Sequence, residues 1–438
     1  MAKKINPETL RITDMRFVDI VGAPMDCTIM RLDTNQGISG YGEVRDFSNK
    51  FYALELKRLI IGENPCNVNK IYNKIKQFGT HARGGGGVSA IEVACWDIAG
   101  KAYGVPVWQM LGGKCRDKIR IYCDTDVSGK HTGKDMGEAL KKRMAAGYTM
   151  LKMDLGVDML INVEGALNAP KDYIEKMREF DQQELSFGIT NKEFAEFVSV
   201  PHPFTAMNIT EVGLDYLENY VKEVRSIIGY EIPLAIDHIG HVSYQSCLAL
   251  AKRLEKYNIF WMEDCIPWFY TEQWKTLSNS TTVPMCTGED IYGHEGFEKL
   301  INERAISYIH PDVLTTGGIS ETLRILKMAE EKGIGACVHM AETPIGCMAA
   351  VAVCAAAGDN LIAMEFHGHD VPWWNDMVKN PKTKIIKNGF VTPSNKPGLG
   401  IGELDDEVLK KHINPKRPGL WKSTEQWDNE WAHDRIWS

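Results

Sequence analysis

Apolar and polar positions alternate along the first part of the chain. Residues 9–45 carry this period of two in "LRITDMRFVDIV" and "CTIMRLDTNQGISGYGEV", with "TNQG" at 34–37 as a turn signal. The pattern predicts a small antiparallel sheet. Over 51–78 and 88–110 the apolar spacing changes to a helical period. Residues 1–118 therefore read as an α+β unit.

From 119 onward short apolar runs recur: "IRIYCDT", "MLKMDLG", "PLAIDHI", "IFWMEDC", "VPMCTGED", "ISYIHPD", "IGACVHM" and "LIAMEFH". Stretches with helical periodicity, such as "YQSCLALAKRLEKYN" and "SETLRILKMAEEKG", lie between most of them. Continuous apolar strands separated by helices indicate a parallel sheet covered on both faces. Eight such units over 119–380 predict a TIM-like barrel. One connection breaks the rhythm: residues 157–210 form a long insertion between the second and third strands, punctuated by "NAPKD" and "VPHPFT". Insertions of this length inside compact domains serve as lids, contact elements or small added structures. Residues 381–438 form a C-terminal segment that returns to the N-terminal unit.

In barrels of this type the reacting groups stand at the C-terminal ends of strands. The third, fourth and fifth strands end at Asp237, Glu263 and Glu289, spaced 26 residues apart in both intervals. Three carboxylates at one mouth repel one another without a cation, and an all-oxygen set suits Mg²⁺. As an alternative, the three are helix caps or polar strand ends. The second strand places Lys152 and Asp154 on one face. Lys152 is a candidate base or substrate-carboxylate ligand; its structural alternative is a salt bridge with Asp154. The sixth, seventh and eighth strands end at Asp312, His339 and Glu365. Asp312 against His339 would fix the imidazole tautomer and raise its basicity, as a general acid/base requires. Glu365 either hydrogen-bonds a developing enediolate or positions Lys152.

These residues resemble the enolase superfamily, in its mandelate-racemase-like branch. The resemblance spans nearly the whole chain and includes "GYGE" at 40–43, "IEVACWDIAGKAYGVPVWQMLGG" at 91–113, "GED" at 288–290 and "PGLGIG" at 397–402. It implies an N-terminal α+β capping domain on a modified (β/α)7β barrel. Carried over by position, Asp237, Glu263 and Glu289 are magnesium ligands, His339 is the acid/base and Asp312 its partner. Racemases of this branch show Lys-x-Lys on the second strand, where this chain has Lys152-Met153-Asp154. A carboxylate in the second position fits one-sided chemistry better than two-base racemisation. The expected activity is Mg²⁺-dependent dehydration of a sugar acid, an aldonate or aldarate, to a 2-keto-3-deoxy acid. A racemase, epimerase or cycloisomerase using the same enediolate is the alternative, and an inactive barrel serving as a scaffold is a third.

Composition narrows the setting. The net charge of −8 is spread through 438 residues and argues against a nucleic-acid surface. Eleven scattered cysteines, never spaced CxxC, suit a reducing compartment. With no apolar leader and no run of 18 apolar residues, a cytoplasmic enzyme without membrane contact is expected, acting on a small carboxylate and assembling as a homo-oligomer. Alternation turns His238 away from the barrel mouth, while His241 lies on the following loop. "HARGGGGVSAIE" at 81–92 lacks the Lys-Ser/Thr of a phosphate loop and reads as a helix entry from which His81 and Arg83 could reach an acidic substrate. "EFHGHD" at 365–370 raises a separate histidine metal site, without a matching third ligand. "WFY" at 268–270 and "PWW" at 372–374 read as loop packing, and "WAHDRIWS" at 431–438 as a segment packed on the body or on a neighbouring subunit.

Overall fold

The computed structural model describes residues 5–79, 82–181, 207–240, 242–379 and 384–430. The chain divides into two compact units, Met1–Arg120 with Glu289–Glu298 and His310–Ser438, and Ile121–Gly288 with Lys299–Ile309.

In the first unit the alternating region folds into strands β1 (Ile12–Ile20), β2 (Cys27–Thr34) and β3 (Ser39–Val44), an antiparallel sheet in that order. Phe17 opposes Met30, which opposes Gly42. Behind β3 runs the buried helix Gly86–Tyr103, closed by Gly104 at φ 74°. The two glycines of "GYGE" set this approach. A Cβ on Gly40 would stand 2.3 Å from the Ala94 carbonyl oxygen, and one on Gly42 would stand 2.0 Å from that of Ala90. The glycine run before the helix has a related cause, since a Cβ on Gly87 would lie 2.3 Å from the backbone of Tyr52. Leu10, Met15, Met30, Leu32, Ile91 and Ile98 form part of the resulting core. The region 51–78 breaks into short helices, Phe51–Leu54, Lys57–Ile60 and Val68–Ile75, around Gly62 and Pro65. The C-terminal segment returns here, with Leu420 and Ile413 bridging Val18 and Ile20, and Leu399 N–H donating to Asp97 at 2.9 Å.

The later strands are β4 (Ile119–Cys123), β5 (Leu151–Asp154), β6 (Leu167–Asn168), β7 (Asn208–Ile209), β8 (Leu234–Asp237), β9 (Ile259–Glu263), β10 (Met285–Thr287), β11 (Tyr308–Ile309), β12 (Gly335–Val338) and β13 (Leu361–Phe366), followed by β14 (Ile386–Lys387) and β15 (Phe390–Val391). The main sheet runs β13-β12-β11-β10-β9-β8-β5-β4, and β13 also pairs with β4. This is the closed parallel barrel of eight strands that the sequence predicts. The predicted helices form at Tyr244–Leu254 and Ile319–Glu331. β6 and β7 pair antiparallel outside the barrel, Leu167 opposite Ile209, and so join the two ends of the long insertion. Residues 182–206 of the insertion, His81, His241 and the segment 431–438 lie outside the described residues. No helix among the described residues is long and apolar enough to cross a membrane.

Candidate active site

In the first unit, chemistry collects where the later barrel strands end. Asp312 lies three residues past β11 and His339 one past β12, and the two form a parallel bridge. His339 Nδ1 is 2.7 Å from Asp312 Oδ2. Asp312 Oδ1 accepts from the backbone N–H groups of Leu314 and Thr315, at 2.6 and 3.0 Å. Burial pushes the Asp312 carboxyl up, but the charge of Arg45 and the contact with His339 outweigh it and hold the group below its ordinary value. The other imidazole nitrogen, His339 Nε2, is 3.1 Å from Glu289 Oε2 and 3.9 Å from Glu365 Oε2.

Glu365, in β13 and fully buried, also meets two further imidazoles. His310 Nε2 lies 3.1 Å from its Oε2, and His367 Nε2 lies 3.2 Å from its Oε1. The His339 ring has both as neighbours, with centroids 5.4 Å from His310 and 5.8 Å from His367. His367 of "EFHGHD" clusters with His339 and Glu365, all three offering ligand atoms within 4.8 Å of one another.

Arg45, which the sequence reading did not single out, is the buried hub of this group. It follows β3 directly and is 1% exposed. Its Nη1 donates to Asp46 and, at 2.8 Å, to Glu342 Oε1; Nη2 reaches Glu289 Oε1 at 3.4 Å and Nε donates to Thr315 Oγ1 at 3.0 Å. Nε also stands 3.9 Å from Asp312. The neighbouring Glu342 carboxyl is pushed well up by burial and by the charge of Asp312. Glu43 of "GYGE" is raised to about 7 by burial, although it accepts from Thr343 and Gly346 at the start of helix Pro344–Ala356. Arg83 engages Asp46, Glu289 and Asp290, at 2.9, 3.4 and 3.4 Å. The only sequence trace of Arg45 is a charged residue directly after a buried strand.

The second unit holds the other sequence-selected residues. β5 and β8 pair in register, with Lys152 opposite Ala235 and Asp154 opposite Asp237. Lys152, fully buried, puts Nζ 2.6 Å from Asp237 Oδ2 and 3.4 Å from Glu263 Oε2. Glu263 also accepts from Trp261 Nε1 at 2.8 Å, and Asp237 from the backbone N–H of His238 at 2.6 Å. Burial, then the charge of Asp124, pushes the Asp154 carboxyl well up. Strand alternation does not govern His238. The backbone there turns left-handed, φ 61°, and brings Nε2 to 3.8 Å from Asp154 Oδ1. The charge of Asp237 raises the His238 ring above its ordinary value. Two buried carboxylates converging on a cation, here the Lys152 ammonium, are hard oxygen donors of the kind that Mg²⁺ takes.

Comparison with known proteins gives two family matches. Residues 135–408 match the family described as enolase C-terminal domain-like, and residues 23–112 match the mandelate racemase / muconate lactonizing enzyme N-terminal domain. Among relatives, the D-xylonate dehydratase of Haloferax volcanii is 28% identical, with 94% of each chain covered. The D-galactonate dehydratase of Verminephrobacter eiseniae is 26% identical, over 92% of this chain and 96% of its own. A solved mandelate racemase/muconate lactonizing enzyme-like protein from Rubrobacter xylanophilus superposes with a TM-score of 0.78 at 26% identity, covering 94% of this chain and 99% of that one.

Proposed function

We propose that this chain, which belongs to the enolase superfamily and within it to the mandelate racemase/muconate lactonizing enzyme family, is a hydro-lyase that dehydrates a sugar acid. The substrate class follows the relatives named for D-xylonate and D-galactonate dehydration. The observation that carries the reading is the carboxylate-oriented imidazole, Asp312 against His339 at 2.7 Å. With Nδ1 tied to Asp312, Nε2 is the nitrogen that exchanges a proton. It removes the proton α to the substrate carboxylate, and the resulting enediolate expels the β-hydroxyl. The enol left behind tautomerises to a 2-keto-3-deoxy acid.

Asp237, Glu263 and Glu289 would hold Mg²⁺, which when bound supplies charge stabilisation for the enediolate. Lys152, buried beside Asp237 and Glu263, holds a positive charge where a substrate carboxylate would bind. Asp154, in place of a second lysine, is a carboxyl whose charged form burial disfavours, which suits one-sided elimination better than two-base isomerisation. Incubating the purified protein and Mg²⁺ with a library of aldonic and aldaric acids tests the reading. A 2-keto acid product is expected. Epimerised or cyclised substrate with no keto product would assign an isomerase instead.

A further inference from the structure

Dehydration needs two proton transfers on adjacent carbons: one taken from the α-carbon, one given to the departing hydroxyl. Two imidazoles in the first unit, each set against a carboxylate, stand side by side. His339 pairs with Asp312 at 2.7 Å, His367 contacts Glu365 at 3.2 Å, and their ring centroids are 5.8 Å apart. They follow the ends of β12 and β13, which pair in parallel, so both imidazoles stand at the same end of neighbouring strands. Glu365 is braced from its other oxygen by the fully buried His310, at 3.1 Å. The His367 side chain keeps 16% of its surface exposed, whereas Glu365 behind it keeps none. The order is therefore a buried brace, a buried carboxylate and an accessible imidazole, which is how an acid/base residue is usually oriented.

We infer that His367 is a second catalytic residue of this chain, oriented by Glu365, and that it donates a proton to the β-hydroxyl as the C–O bond breaks. The inference rests on the dehydratase reading above. His339 takes the α-proton, and the C–H electron pair enters the enediolate. That pair then forms the new C–C double bond, the C–O pair leaves with oxygen, and the proton from the His367 imidazolium completes water. One imidazole has gained a proton and the other has lost one, and exchange with solvent restores both. With both transfers made by imidazoles on adjacent strand ends, 5.8 Å apart, the inference predicts a syn elimination.

The test uses the full chain with Mg²⁺ and whichever aldonic or aldaric acid the wild type dehydrates. His367→Asn is expected to lower keto-acid formation by about 100-fold or more, within the range for a lost general acid. It should still exchange the α-proton in D₂O, read by NMR on recovered substrate. A β-fluoro analogue, whose leaving group departs without a proton, should be turned over by His367→Asn at close to the wild-type rate. Glu365→Gln should shift the same readings in the same direction by a smaller factor. Wild-type product formation by His367→Asn would overturn the inference and leave the dehydratase reading standing. So would loss of α-exchange in both variants, or failure of the fluoro analogue to restore turnover. If the wild type dehydrates no acid in the library, the dehydratase reading fails and this inference falls with it.

Discussion

His339 has one ring nitrogen committed to Asp312 and the other facing Glu289 and Glu365, so its variants separate roles sharply. His339→Asn is expected to abolish both α-proton exchange in D₂O and keto-acid formation. Asp312→Asn should retain a weaker activity, because the imidazole survives without its orienting charge. Continued exchange without product in His339→Asn would make Lys152 the abstracting base. Asp312 also carries a pH signature. Its folded carboxyl is held below the ordinary value, so the unfolded chain binds the proton first as pH falls. The stabilisation is present above the unfolded pKa and is lost as pH drops through the folded one. Denaturation midpoints measured between pH 5 and pH 3 should therefore fall less steeply for Asp312→Asn than for the wild type. Glu263→Gln keeps an acceptor for Trp261 but loses a charge. Calorimetry should show Mg²⁺ affinity reduced at least tenfold with the far-UV spectrum unchanged.

At the scale of elements, the contact between β3 and helix Gly86–Tyr103 depends on missing side chains. Gly42→Ala would drive a methyl to 2.0 Å from a backbone oxygen that cannot swing aside. Overpacking of this kind costs about 1–3 kcal/mol or more, and a lowered denaturant midpoint with unchanged slope would register it. The alternation that makes β1 to β3 is plain in the sequence, as are the eight apolar runs of the barrel. Long elements with one buried face write their period locally. The strand ends are less faithful: Glu289 and Asp312 lie two and three residues beyond β10 and β11, in backbone that no alternation describes. His238 escapes alternation for the same reason. β6 and β7, two residues each, are too short to carry a pattern. Partners far apart in the chain leave no local trace, which is why Arg45 with Glu289 and Glu342, and Glu43 with Thr343, could not be read in advance.

At the scale of the whole molecule, the long insertion is tied at its two described ends. The pairing of Leu167 with Ile209 and Asn168 with Asn208 joins those ends. Loop closure costs change slowly with length. Replacing 182–206 by a short Gly/Ser linker should leave the melting temperature within a few degrees and Mg²⁺ affinity unchanged. Loss of both would show that the segment supports the barrel itself.

The position of Arg45 also bears on how such proteins can be recombined. A guanidinium supplied by residue 45 meets carboxyl groups supplied by residues 289, 312 and 342, the last two of them withdrawn from water. Removing one partner of a buried ion pair typically costs about 3–5 kcal/mol. A chimera that grafts the N-terminal strands of a relative onto this barrel would inherit that deficit unless the graft carries an arginine at this place. Crossover points in a library of hybrids should accordingly be screened for the residue after "GYGEV" before any substrate-facing loop is considered.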